Sequence, residues 1–291
     1  MAISLTLKKS SSAFDKRIVR VGLEIDGDIV FFQDEDIRVS GEKFMSPTLS
    51  QCTVQISNLS REHRNFILTK SSPIISRNGG RNPSFLVVDV GRESYGTFRL
   101  FEGRVFTATV TPPPDIGITL RSLMQTAAGS LIGINSHGET AQLRGIAQSI
   151  ADQNGLNLEF KAEDRMVANY AHSGALRMQM EKLQAVGGVS VFADAQTLFV
   201  IGYGEERGTT RFKINKENGM IGVPQATEEG VIVQTLLNPG LLIGGGVTID
   251  SEVNPSVNGD GYNIWRMEFH AANRDYPFFY TLTCRQTIIG T

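Results

Sequence analysis

Hydrophobic and polar residues alternate with a period of two residues along most of the chain. Val19, Val21 and Leu23 alternate with the charged residues Arg20 and Glu24. The same spacing recurs in residues 3–7, 52–56, 86–90, 105–110, 116–120 and 280–284. Period-two alternation is typical of strands with one buried face, so most of the chain is predicted to form antiparallel sheets. Ser60 is predicted to cap one short helix that follows the strand at 52–57.

The hydrophobic spacing becomes helical at about residue 139. Apolar residues from Leu143 to Ala151 lie on one helical stripe, and Asn154-Gly155 is a suitable end for that helix. A second helix is predicted from about residue 174 to Gly187-Gly188. Strands are predicted at 156–160, 189–191 and 198–200, the last two forming a hairpin. This segment is predicted to be a small α/β domain.

Residues 230–249 form a long uncharged run that is not predicted to span a membrane. Asn238-Pro239-Gly240 interrupts it, five glycines fall within it, and Gln234 would be buried in lipid. Asn-Pro-Gly between two apolar runs predicts a tight turn joining two strands. Farther along, Trp265, Met267 and Phe269 are predicted to share one face of a strand.

The predicted fold is mainly β with α+β character, in three domains. With 291 residues the chain is long for a single domain. Residues 1–125 are predicted to form a first tube-like antiparallel β-barrel, 126–204 a small α/β domain of helix, strand, helix and hairpin, and 205–291 a second tube-like β-barrel. Strands from earlier residues can join the second barrel.

Charge and cysteine content exclude several classes of protein. The formal net charge of −2 argues against a mainly electrostatic nucleic-acid binder, though not against passive contact with DNA. Cys52 and Cys284 are too few and too far apart for a disulfide framework, which indicates reduced thiols and synthesis in a cytoplasm. The first nine residues lack the features of a signal peptide.

Several short motifs resemble ligand sites, and each is better explained by loop structure. The glycines and cations of residues 77–81 precede no helix start of phosphate-binding spacing, so a hairpin turn is predicted. The glycines at 244–246 predict a bulge or a close backbone contact. Carboxylates cluster at 34–36 and 250–254, but Pro255 and Gly261 occupy positions where a calcium loop needs glycine and glutamate.

No catalytic, cofactor-binding or metal-binding residue is predicted. The histidines, His63, His137, His172 and His270, are widely spaced, with no His-x-x-x-His or Cys-x-x-Cys pair. Catalytic pairing of a cysteine with a histidine stays open at this point, although a cysteine inside a strand is more often a small core residue. Trp265 is interpreted as a core or interface residue.

The chain resembles the baseplate hub proteins of contractile-tailed bacteriophages. The resemblance is carried by the domain order and by three stretches: residues 53–66, residues 100–120, and residues 238–249 with the hairpin at 262–284. The similarity is to the T-even hub and the late control protein D family. It covers most of the chain, but each stretch is degenerate and the domain order carries more weight. No lysozyme-like domain, peptidase domain or β-helix repeat is found in the sequence.

This resemblance implies a structural virion protein of the tail baseplate and not an enzyme. It implies a homotrimeric ring of six similar barrels that joins the six-fold tail tube to a three-fold central spike. The implied partners are other copies of this chain, the spike protein, the tail tube protein and other baseplate proteins. Phage DNA would pass through the lumen without sequence-specific binding.

Three other functions stay open. The first is a hexameric tail-tube or tube-initiator protein. The second is a cell-wall hydrolase, for which Glu62 and Glu228 are candidate residues, and the third is a carbohydrate-binding β-module. The number of copies in the assembly distinguishes the tube protein from the hub, and activity on peptidoglycan would indicate a hydrolase.

Overall fold

The chain is mainly β, as predicted. A computed structural model describes residues 15–25, 28–70, 85–112, 116–124, 133–136 and 138–287. The predicted strand at 3–7 and the motif at 77–81 lie outside these residues.

The described helices are α1 (Arg61–Lys70), α2 (Leu143–Gln153) and α3 (Leu176–Gly187), with a 3-10 turn at Pro255–Val257. The strands of the first part are β1 (Arg17–Ile25), β2 (Asp28–Phe32), β3 (Asp36–Phe44), β4 (Gln51–Ser57), β5 (Phe85–Arg92), β6 (Gly96–Thr111) and β7 (Gly117–Leu123). Those of the middle part are β8 (Gly133–Ser136), β9 (Thr140–Gln142), β10 (Asn157–Phe160), β11 (Met166–Ala168), β12 (Ala171–Gly174), β13 (Val189–Asp194) and β14 (Thr197–Gly202). The last part contains β15 (Phe212–Ile214), β16 (Met220–Thr227), β17 (Gly230–Leu236), β18 (Gly246–Ile249), β19 (Gly259–Ala272) and β20 (Phe278–Gln286).

One continuous sheet joins the first and last parts of the chain. Its strand order is β16-β17-β20-β19-β3-β4-β7-β6-β5-β1-β2, and β18 and β15 attach beside β19. The joint is β3, which pairs with β4 on one side and with β19 on the other, where Gly41 lies opposite Phe269. The strand pairing therefore crosses between residues 1–125 and 205–291. Among the described residues no ladder closes either half into a barrel, so the two barrels stay a prediction.

Strand β6 connects two parts of this sheet. Its first half pairs with β5, and its second half, from Arg104 onward, pairs with β7. A bulge lies between Val105 and Thr107, and bulges bend a strand and increase its twist. The ring of Phe101 packs against Phe269 of β19, with 6.4 Å between centroids. The main core therefore lies between the β5-side and the β19-side of the sheet.

The middle part is an α/β module (residues 133–202) with its own small sheet, in the order β10-β14-β13. Helix α2 buries Leu143, Ile146 and Ile150, which is the stripe that the sequence predicts. Helix α3 ends at Gly188, whose φ of 56° is left-handed, a conformation that favours glycine. Two short ribbons, β8 with β12 and β9 with β11, complete the module. The structure has helix α2, strand β10, helix α3 and the β13–β14 hairpin in the predicted order, with β11 and β12 as additional strands between β10 and α3. That this segment is a separate domain stays a prediction.

Two local predictions in the last part differ from the structure. The turn at 238–240 forms, and the amide of Gly240 donates to Asn238 Oδ1 at 2.8 Å, but the strands on either side, β17 and β18, do not pair with each other. The prediction that Trp265 shares a face with Met267 and Phe269 is wrong. A bulge between Ile264 and Arg266 shifts the register, so Ile264 is the buried residue.

Candidate assembly surface

Eight adjacent strands, β16-β17-β20-β19-β3-β4-β7-β6, form a broad sheet with one core-facing side. On β20 the buried residues Tyr280, Leu282 and Cys284 alternate with the partly exposed Thr281 and Thr283. Strands β17, β4 and β7 show the same alternation, in matching register. The outward set also includes the apolar residues Phe44, Ile232 and Phe279. We call its polar members the polar face: Gln234, Thr281, Thr283, Arg266, Glu268, His270, Arg38, Ser40, Glu42, Gln51, Thr53, Gln55, Thr119 and Arg121.

Rows of polar residues run straight across the polar face. Thr281 lies opposite Gln234 on one side and Glu268 on the other. Glu268 lies opposite Glu42, which in turn lies opposite Gln51. In antiparallel sheets with one solvated face, buried apolar residues alternate with outward polar residues along each strand. Here the row of outward polar residues spans five neighbouring strands, β17, β20, β19, β3 and β4.

Most charges on the polar face are balanced locally. Arg266 Nη2 lies 2.6 Å from an oxygen of Glu42 and 3.0 Å from one of Glu268. Arg38 lies 3.3 Å from Asp275 in the β19–β20 turn. Within the described residues, no carboxylate lies within ion-pair distance of Arg121. Exposed pairs of this kind stabilise the fold little, but they leave the surface almost neutral.

The two edges of the eight-strand sheet differ. The second half of β6 pairs with β7 alone among the described strands, and it exposes Phe106 (45%) and Val110 (49%). At the other edge, β16 carries a bulge between Ile221 and Gln225 together with Pro224. Proline and bulges discourage further strand pairing, whereas an exposed apolar edge is a template for it.

A buried ion cluster joins the α/β module to the sheet. Asp194, at the end of β13, accepts hydrogen bonds from Lys43 Nζ at 2.8 Å and from Arg207 Nη1 at 2.9 Å. The guanidinium of Arg207 also stacks 3.9 Å above the ring of Phe199. Burial raises the pKa of Asp194, but the two opposing cations outweigh it and hold this pKa below its ordinary value. The sequence gives no signal for this cluster, because its members are 151 and 13 residues apart.

Both cysteines lie in the core, as their strand positions predict. Cys52 and Cys284 are free and buried. Burial raises the pKa of the Cys284 thiol to about 12, and it raises that of Cys52 well above its ordinary range, even though Lys43 opposes this shift. Neutral buried thiols are poor nucleophiles.

The described histidines lie in separate elements. His63 is in α1, where its ring meets Phe32 edge-on at 6.0 Å. His172 is in β12, and His270 is on the polar face of β19. His137 lies outside the described residues. Within the described part of the chain, no group of histidine, cysteine and carboxylate side chains could hold a metal ion.

The acidic motifs occupy connections and strand ends. Asp34 and Glu35 lie in the connection from β2 to β3, and Asp36 is the first residue of β3. Asp250 pairs with Lys213 at 2.7 Å. Glu62 lies in the first turn of α1, where Ser60 Oγ accepts a hydrogen bond from the amide of His63 and confirms the predicted cap. Glu228 lies in the turn between β16 and β17.

The glycines at 244–246 make the close backbone contact that the sequence predicts. The Gly244 amide donates to the carbonyl of Ile264 at 2.9 Å, and the Ile264 amide donates to the carbonyl of Gly245 at 3.0 Å. Gly244 has a φ of +75°, and a Cβ there would lie 2.8 Å from the ring of Phe192 in the module. None of the described helices is long and apolar enough to cross a membrane.

The family model described as "Baseplate hub gp41" matches residues 18–284 of the chain. No curated protein matches this chain in sequence. The fold is similar to that of the 43 kDa tail protein of prophage MuSo2 from Shewanella oneidensis, with a TM-score of 0.61, 10% identity, and coverage of 92% of this chain and 98% of that one.

Two further solved structures share the fold. A tail protein from Neisseria meningitidis MC58 aligns with a TM-score of 0.62 and 7% identity over 92% of this chain and 96% of that one. The E. coli c3393 protein, a component of the type VI secretion system, aligns with a TM-score of 0.54 and 12% identity over 91% of this chain and 76% of that one. That protein is described as structurally similar to the T4 bacteriophage tail proteins gp27 and gp5.

Proposed function

The chain belongs to the baseplate hub gp41 family, and from this premise we propose that three copies form a ring that joins the tail tube to the central spike. The resemblance to baseplate hub proteins that the sequence predicts is confirmed. The family is one of structural phage baseplate proteins and not of enzymes. The number of copies, the ring and the partners form the proposal.

The eight-strand sheet with its uncovered polar face carries this proposal. A sheet of this width must cover its apolar face, and the core does so, while the side chains of the polar face are all partly or fully exposed. In the proposed ring the polar face lines the channel. Three copies of the eight strands, at about 4.8 Å per strand, would give a ring about 115 Å around and about 37 Å across. Such a channel is wide enough for a DNA duplex.

The charge balance of the polar face suits passage of DNA. A row of unpaired cations would bind the phosphate backbone and release its counterions, which gives tight and salt-dependent binding. In this chain Arg38 and Arg266 are each neutralised by a carboxylate. The proposed lumen therefore lets DNA slide through without sequence-specific binding.

Neighbouring copies would meet at the sheet edges, with the apolar second half of β6 as one contact. Contacts between unlike surfaces close into a ring when the rotation between copies is right. The proposed domains are two tube-like barrels, at 1–125 and 205–291, and the insert at 126–204. The proposed partners are other copies of the chain, the spike protein, the tail tube protein and other baseplate proteins, in a virion assembled in the host cytoplasm.

Light scattering on a size-exclusion column, followed by averaged electron images, tests the proposal. We expect a particle of three times 31.8 kDa with six lobes around a channel. The double variant Phe106→Asp, Val110→Asp should remain folded and run as a monomer, since both side chains are exposed and lie on the β6 edge. Tyr276→Ser, a change at another exposed aromatic residue, should leave the trimer intact.

Two other results would contradict the hub proposal. Six copies in the ring would indicate a tail-tube protein. A protein that remains monomeric when mixed with the tube and spike proteins would contradict the proposal of a ring.

A further inference from the structure

One face of strand β13 points from the α/β module toward the large sheet. Ser190, Phe192 and Asp194 alternate along β13 and share this face, and all three are buried. No described strand of the module pairs with a strand of the large sheet. The module is therefore held on the sheet by side-chain contacts and by the chain that follows β14, and not by a shared ladder.

Two contacts between module and sheet lie along this face. The ring of Phe192 packs on Gly244, where a Cβ would lie only 2.8 Å from the ring. Two residues farther along β13, Asp194 accepts a hydrogen bond from Lys43 Nζ at 2.8 Å. Lys43 lies opposite the buried Met267 of β19, so it projects from the core side of β3 and not from the polar face.

A cleft lies at each end of the same face. The first cleft has a volume of about 330 Å³ and is lined by Ser190 of the module and by Met45 and Trp265 of the sheet. The second, at the opposite end of β13, has a volume of about 130 Å³ and is lined by residues that include Ala195 and Leu242. Closely packed interiors contain few voids larger than a water molecule, so the contact between module and sheet is narrow.

Arg207, in the connection from β14 to β15, is bonded to both sides of this contact. Its guanidinium stacks on Phe199 and donates to Asp194 at 2.9 Å, and both of these residues belong to the module. Its backbone amide donates to the carbonyl of Gly244, on the sheet side, at 2.7 Å. A rotation of the module about Arg207 would keep these contacts and would break the Lys43–Asp194 pair.

A narrow contact between two clefts, with one residue bonded to both sides, is the arrangement of a hinge. Interfaces between domains permit relative motion unless they are large and apolar, and a few residues of a connecting segment absorb the motion. We propose that the α/β module rotates on the sheet about Arg207, and that the Lys43–Asp194 pair is the latch that holds it closed. No residue of this junction belongs to the polar face, so the rotation leaves the proposed channel wall unchanged.

Spin-label distances across the junction, measured by pulsed electron resonance, test the hinge. Both native cysteines are buried, so the labels attach to Met178→Cys on α3 and to Tyr276→Cys in the β19–β20 turn, where the native side chains are 52% and 74% exposed. Labelled chains are mixed with excess unlabelled chains, so that only distances within one chain are measured. We expect one narrow distance distribution for the closed junction. Lys43→Met removes the latch but leaves Asp194 paired with Arg207, and it should make the distribution about twofold wider.

Lys213→Met is the matched control, because it removes a lysine from an exposed ion pair with Asp250 on the sheet. This variant should keep the narrow distribution. A second label pair, Ile134→Cys with Tyr276→Cys, detects a rotation whose axis passes close to Met178. Circular dichroism of each variant reports whether the helices of the module stay folded.

Three outcomes would overturn the hinge proposal. The first is an equally narrow distribution for the unchanged protein and for Lys43→Met with both label pairs, which would show a rigid junction. The second is an equally broad distribution for both proteins, which would show that the pair is not a latch. The third is a loss of helical circular dichroism in Lys43→Met, which would make the pair part of the fold itself. The ring proposal is decided separately by the particle mass, since the hinge does not depend on the number of copies.

Discussion

Strand β20 of the large sheet and strand β13 of the α/β module are both rich in apolar residues, yet they are covered differently. On β20, buried and partly exposed residues alternate. On β13 all six residues are buried, including Ser190 and Asp194. Helix α3 lies against the module strand, and the glycine segment at 244–246 approaches it from the sheet, where Gly244 meets Phe192. The module strand is thus covered within one chain, whereas the large sheet keeps one partly exposed polar face.

The largest effect should come from breaking the junction between these two regions. Asp194→Ala would leave Lys43 and Arg207 as buried cations without a counter-charge, with side chains only 14% and 17% exposed. Removing one partner of a buried ion pair costs about 3–5 kcal/mol. Urea unfolding should therefore show a large loss of stability. Arg177→Ala, which breaks the exposed pair with Glu181, is the matched control and should change the unfolding free energy by less than about 0.5 kcal/mol.

The second test compares the two faces of β20 at adjacent positions. Leu282 is fully buried, and truncating it to alanine should cost about 2–5 kcal/mol by lost burial and a new cavity. Thr283 faces the other way, so Thr283→Val should change the stability of the isolated chain by less than about 0.5 kcal/mol. Similar losses for both variants in urea unfolding would mean that the polar face is covered in the isolated chain.

A smaller effect should appear at acid pH. The cations beside Asp194 lower its pKa in the folded chain, so the carboxylate contributes stability at pH values above its unfolded pKa of about 3.9. That contribution is lost as the pH falls through the lower, folded pKa. Unfolding midpoints measured from pH 7 down to pH 3 should fall more steeply for the unchanged chain than for Asp194→Asn. Parallel curves for the two proteins would rule out this role of the carboxylate.

Local periodicity accounts for the elements that sequence reasoning found. Tyr280, Leu282 and Cys284 are buried in β20, as their alternation with polar residues predicts, because one face of that strand packs on the core. The stripe on α2 and the Ser60 cap of α1 depend on neighbours within a few residues, so the sequence displays them directly. The same reasoning failed at Trp265, because a bulge inserts one extra residue and period-two counting cannot show where that occurs.

The candidate surfaces depended on contacts between distant residues. The position of β3 between β4 and β19 joins residues 36–44 to residues 266–272, and no local pattern encodes that choice of partner. The Asp194 cluster and the cleft at Trp265 arise in the same way, where the module meets the sheet. Sequence reasoning interpreted Trp265 as a core or interface residue without indicating the cleft around it.

The sequence by itself determined the mainly β character, the order of the main helices and strands in the middle of the chain, and the membership of the baseplate hub family. These follow from the spacing of apolar side chains, the order of segments and the motifs that resemble the family. Only the tertiary structure decided that one sheet runs through both halves, which of its faces stays open, and where a buried carboxylate meets two cations. The reason is physical: a side chain's tendency to be buried acts locally, whereas strand partners and charge partners are selected by the packing of the whole chain.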